Sequence, residues 1–65
     1  MKYAIGFKRE FKELGIAQVE LNVLETDEAL EKLKELFNEG IDHIAIKKCG
    51  EDIQEAKKFV YKIVN

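Results

Sequence analysis

The chain has 65 residues, 11 of them basic and 13 acidic, for a formal charge of −2. A domain of this size buries only about 60% of the surface its unfolded chain exposes, so its apolar side chains go into one core and leave nothing to line a deep substrate pocket. At 46% hydrophobic and 37% charged residues the chain reads as folded, no apolar run nears the roughly 18 residues of a membrane span, and the basic footprint of a general nucleic-acid binder is missing. The amino terminus has no apolar signal segment and the lone Cys49 cannot form an internal disulfide, so a reducing cytoplasm is expected. Without proline, low-complexity stretches or repeats, residues 1–65 read as a single domain.

Lys2 to Phe7 alternates Tyr3, Ile5 and Phe7 with Ala4 and Gly6, the two-residue period of a half-buried strand. A charged stretch follows, in which Phe11 and Leu14 fit either an extended hairpin or one helical turn. Gly15 marks a turn, and Ala17, Val19, Leu21 and Val23 then alternate with Gln18, Glu20 and Asn22 in a second strand. Thr26 is a good N-cap, with Asp27 and Glu28 at the positive end of the helix dipole. Ala29, Leu30, Leu33, Leu36 and Phe37 form one helical stripe, which Gly40 ends. Ile41 to Lys48 returns to alternation and predicts a third strand. Cys49 and Gly50 open a second helix with the inward stripe Ile53, Ala56, Val60, Ile63 and Val64.

The predicted order is ββαβα, an α+β two-layer sandwich. Its three-stranded antiparallel sheet has the order 2-1-3, with a crossover through the first helix and both helices on one face. Ile5, Phe7, Val19, Leu21, Leu33, Phe37, Ile44, Ile46, Ile53 and Val60 are its expected core. The opposite sheet face is then open and carries Ala4, Gly6, Lys8, Gln18, Glu20, Asn22, His43, Ala45 and Lys47. Such a face is either a docking surface or a solvated one, and it lacks the aromatic platform on which single-stranded nucleic acids stack.

No catalytic constellation emerges. A thiol at a helix start beside Lys47 and Lys48 favours its thiolate, which makes Cys49 the candidate for a thiol enzyme or redox sensor. Glu51 and Asp52 in the same turn oppose the thiolate, and six residues of strand place His43 about 20 Å away. No metal-ligand spacing and no phosphate-binding glycine loop occurs, so neither a metal nor a cofactor is expected.

Charge placement says more. Residues 1–12 carry four basic groups against one acid, residues 13–42 nine acids against two lysines, and residues 43–65 five lysines against three acids. Within the acidic block, Glu28, Glu31, Glu35 and Glu39 project away from the leucine stripe as a ridge. The ridge reads as a contact for a basic protein surface or as a solvated helix face rich in good helix formers.

The run Glu25-Thr26-Asp27-Glu28-Ala29-Leu30-Glu31, then Gly40, then a strand closing at Cys49, resembles the central part of the small RNA polymerase inhibitor of T7-like phages over residues 19–49. The resemblance implies a compact inhibitor that binds a larger protein. Where that family presents arginines on its last strand, this chain has Ala45, Lys47 and Lys48. The expected function is therefore a small, non-enzymatic protein-binding module, of phage or mobile-element type, that modulates a host protein as a monomer or dimer. Partner contacts are expected at Glu28, Glu31, Glu35 and Glu39 or at Lys8, Asn22, His43 and Lys47. The competing reading is a structural or regulatory protein that pairs with its own copy through an edge of strand two or three. Lys47 and Lys48 would resist such pairing at strand three.

Overall fold

The charged stretch after the first strand continues it: β1 runs Lys2–Phe11 and β2 Ile16–Glu25, joined by residues 12–15 with Gly15 at φ +66. The computed structural model describes residues 1–65. Helix α1 (Thr26–Asn38) follows without a linker, then β3 (Ile44–Lys48) and α2 (Ile53–Val64). Element order, antiparallel pairing and the strand order β2-β1-β3 match the expectation.

The placement of the helices does not. Phe11 pairs with Ile16, so along the hairpin each odd residue of β1 faces an even residue of β2: Ile5 with Asn22, Phe7 with Glu20, Gly6 with Leu21. Paired residues share a face of the sheet. The apolar odd residues of the two strands therefore point to opposite sides, and each side needs its own helix. On one side Ile5, Phe7, Ala29 and Leu36 form a core with Tyr3, Leu24, Leu33, Ile41 and Ile44 packed around it. On the other, Ala4, Ala45, Ala56, Val60 and Val64 form a second core with Val19, Leu21, Val23 and Cys49. The expected two-layer sandwich with both helices on one face is thus corrected to a sheet between two helices, with α1 over β1 and β2 and α2 across all three strands, mainly β1 and β3.

The face expected to be open is split: Gln18, Glu20 and Asn22 pair with Arg9, Phe7 and Ile5 on the α1 side, while Ala4, Gly6, Lys8, Ala45 and Lys47 belong to the floor beneath α2. The centre of that floor is built of Ala4, Gly6 and Ala45, small enough for the helix to sit close; a Cβ at Gly6 would lie 3.2 Å from Val60 Cβ. The core expectation is corrected as well. Phe37 is 63% exposed and Ile46 44%, while Val19, Leu21, Leu33, Ile44 and Ile53 are half-buried. The α1 backbone does not extend over β3, from which only Ile44 reaches the same core, and this leaves that flank of its apolar stripe exposed.

Local signals also shifted. Glu25 is the residue that precedes α1, and Thr26 is its first helical residue, with its hydroxyl donating to the Met1 carbonyl at 3.3 Å. Asp52, rather than Cys49 or Gly50, caps α2 by accepting from the Glu55 N–H at 3.3 Å.

Both sheet edges are free. The N–H of Thr26 donates to the Met1 carbonyl at 3.1 Å and that of Cys49 to the Lys2 carbonyl at 2.8 Å. Backbone groups alternate in direction along a strand. The groups turned outward are therefore those of Ala17, Val19, Leu21 and Val23 on β2, and of Ile44, Ile46 and Lys48 on β3.

Candidate functional site

α1 begins at the end of β2 and runs back along it. Ala29 and Leu36, seven residues and two turns apart, bury against Ile5 and Phe7, which fixes the rotation of the helix. One flank then overhangs β2. Asp27, Glu28, Glu31 and Glu35 line a groove there with Asn22, Leu24 and Lys32. Four carboxylates stand against one ammonium. That ammonium is drawn away, since Lys32 Nζ lies 5.5 Å from the centre of the Phe7 ring. The one ion pair made by any of these carboxylates joins Glu31 to Lys34, outside the groove, at 3.6 Å, with both side chains exposed; such a pair contributes little.

Glu39 is separated from the rest of the predicted ridge. It pairs at 3.2 Å with Arg9, which also donates to Glu20 at 2.8 Å. Those carboxylates, Glu20 first and then Glu39, hold the Arg9 pKa above its ordinary value. Because the shift is upward, the contribution of this group to stability is complete below the ordinary arginine range and is lost only in strong alkali. The Arg9 guanidinium also lies 5.6 Å from the Phe7 ring centre, so the cluster ties the end of β1 to the end of α1.

The four partner contacts expected on the open sheet face, Lys8, Asn22, His43 and Lys47, do not share a surface. Asn22 enters the acidic groove. Lys8 and His43 flank a concavity at the far end of the molecule with Arg9, Glu10, Lys12 and Asp42. Lys47 lies on the α2 side, its ammonium 5.0 Å from the Phe59 ring centre. Cys49 is half-buried against the α2 core. No group of three His, Cys, Asp or Glu side chains is placed to hold a metal ion, and no helix is long and apolar enough to cross a membrane.

Sequence reasoning missed Asp27 and Leu24 as groove residues, although Asp27, Glu31 and Glu35 follow one another at four-residue spacing on one helix face. It also missed Leu30, Phe59 and Ile63, which are 55%, 46% and 50% exposed. These residues belong to apolar stripes wider than the surface that each helix covers. No protein-family model, curated protein or solved structure matches this chain.

Proposed function

We propose that this chain is a small, non-enzymatic protein-binding module that holds a partner with a basic surface along α1 and the neighbouring edge of β2. The observation that carries the reading is the groove between them, in which Asp27, Glu28, Glu31 and Glu35 stand together with a single lysine turned onto Phe7. Asp27, Glu28 and Glu35 make no ion pair within the chain and Glu31 only the exposed one with Lys34; such carboxylates raise the local concentration of a cationic partner and orient its approach. Next to them, the outward N–H and C=O groups of Val19, Leu21 and Val23 offer main-chain hydrogen bonds to an extended segment. Lys and Arg stems on the partner fit Leu24 at the floor. Both sheet faces are occupied by helices, so no open platform remains for stacking bases. Inhibition or modulation of a larger protein, as the small phage inhibitors perform it, is the form of this activity we favour.

The double variant Glu31→Gln/Glu35→Gln tests the reading. Captured partners from a bacterial lysate, quantified by mass spectrometry, should include a protein that the wild type retains and the variant loses. Binding of that protein should weaken severalfold at low salt and its salt dependence should flatten. Stability should hold or rise slightly, because the change relieves like-charge repulsion at four-residue spacing among Asp27, Glu31, Glu35 and Glu39, a few tenths of a kcal/mol per pair, against the loss of the exposed Glu31–Lys34 pair, which contributes little. Affinity unchanged within about twofold at both low and physiological salt would remove the groove as the contact surface.

A further inference from the structure

We infer that two copies of this chain pair through the free edge of β3, in antiparallel register about a two-fold axis at Ile46, to form one continuous six-stranded sheet. The inference rests on β3 and α2 and is independent of the partner reading at α1.

Three observations converge on it. The outward backbone groups of β3 belong to Ile44, Ile46 and Lys48, because Cys49 turns its N–H inward to Lys2. An axis at Ile46 sets Ile46 against its own copy and Ile44 against the partner copy's Lys48. Every outward donor then meets an outward acceptor over the whole strand, and a shift by two residues either way shortens the overlap.

The second observation is the position of α2. It lies across the sheet with most of its contact on β1 and β3 and a smaller part on β2, so edge pairing brings the two α2 helices between two and three strand spacings, or about 10–14 Å, apart. Helices pack directly at 8–10 Å, so the remaining gap is one that large side chains on the facing flanks would fill. The flank turned toward that seam is marked by Phe59, which sits over Lys47 of β3, and carries Ile63 one turn on. Both are large, apolar and about half exposed in the single chain. On the other face Ile46, also about half exposed, meets its copy at the axis.

Charge is the third. The lysine end of each strand approaches Asp42 at the start of the other. Lys47, which would otherwise guard the edge, stands opposite Ala45 with its ammonium over Phe59, and Lys48 stands opposite Ile44. The β2 edge presents the reverse case. The acidic flank of α1 adjoins it, and a two-fold there would face those carboxylates with their own copies.

A two-fold perpendicular to the sheet keeps both α1 helices on the same side. The two acidic grooves would then lie about 24 Å apart, five strand spacings, facing one way. A dimer of this form is a bivalent version of the module.

Sedimentation equilibrium of the full chain across the micromolar to millimolar range should show a mass approaching twice the 7.5 kDa of one chain, falling to one chain on dilution. Ile46→Pro removes an outward N–H that no β1 residue uses, a position where an edge strand tolerates proline, and should give a folded monomer. Phe59→Glu/Ile63→Glu alters only the seam between helices and should do the same should the proline variant fail to fold. In a Cys49→Ala background, Ile46→Cys places the new thiol across from its copy at a Cα separation near 5.5 Å, within disulfide range. It should oxidise to a covalent dimer much faster than Gln18→Cys on the β2 edge. A single-chain mass at every concentration overturns the inference. So does a dimer that survives the Phe59→Glu/Ile63→Glu change, or faster cross-linking from Gln18→Cys.

Discussion

Phe7→Ala is expected to unfold this domain or leave it barely folded. The ring is fully buried between the sheet and α1, and replacing a buried phenylalanine by alanine costs about 3–5 kcal/mol. At 0.05–0.15 kcal/mol per residue, a chain of this length has roughly 3–10 kcal/mol in all. The loss is therefore comparable to the whole. It also removes the ring toward which Arg9 and Lys32 turn, loosening the tie between β1 and the end of α1. Urea unfolding followed by circular dichroism should show a midpoint close to zero denaturant, or no folded baseline. Phe37→Ala is the control: that ring is 63% exposed, and its removal should shift stability by no more than about 0.5 kcal/mol. A comparable loss from both would mean that α1 is rotated from the position described.

Gly6→Val is the second change with a large expected effect. A Cβ there would meet Leu21 Cδ2 at 3.0 Å and Val60 Cβ and Cγ2 at 3.2 Å. The Val60 Cβ is anchored to a helix backbone and cannot rotate away. Two further methyls would push α2 off the sheet, and overpacking of this kind costs typically 1–3 kcal/mol or more. Gly50→Val meets nothing within 4 Å and should leave the melting temperature nearly unchanged. If Gly6→Val melts like the wild type, α2 does not lie against this part of the sheet.

The elements were legible in the sequence because each has its own periodicity, and so was the strand order, because short connections and one crossover leave few alternatives. Which face each strand presents was not. Tyr3, Ile5 and Phe7 and then Val19, Leu21 and Val23 look like one continuous apolar face when read along the chain. The pairing of Phe11 with Ile16 separates them, and nothing in the alternation reveals which residues close the turn. A second signal was available in Ala4, Gly6 and Ala45. Three small residues in the middle of a sheet face allow a helix to approach closely, and the α2 stripe needed such a floor.

The acidic groove was half legible for the same reason. Helical spacing placed Glu28, Glu31 and Glu35 on the outer side of α1, but their pairing with Asn22 and Leu24 depends on how the helix lies across the strands. Glu39 fell outside the groove because the chain leaves the helix there and Arg9 reaches it from β1. Leu30 and Phe37 stayed in solvent because the stripe that includes them spans a wider arc than two strands can cover.

The turn at residues 12–15 also sets how close this architecture lies to another. Insert one codon there, and a loop that absorbs the extra residue leaves both faces as they are. If the strands absorb it by slipping one place, every β2 side chain changes sides. Val19, Leu21 and Val23 would join Ile5 and Phe7 on one surface, Gln18, Glu20 and Asn22 would spread over the other, and α2 would lose half its floor. A two-layer relative of this protein is thus one register slip away, and the pairing of Phe11 with Ile16 that closes a surface turn is here under the same constraint as the core.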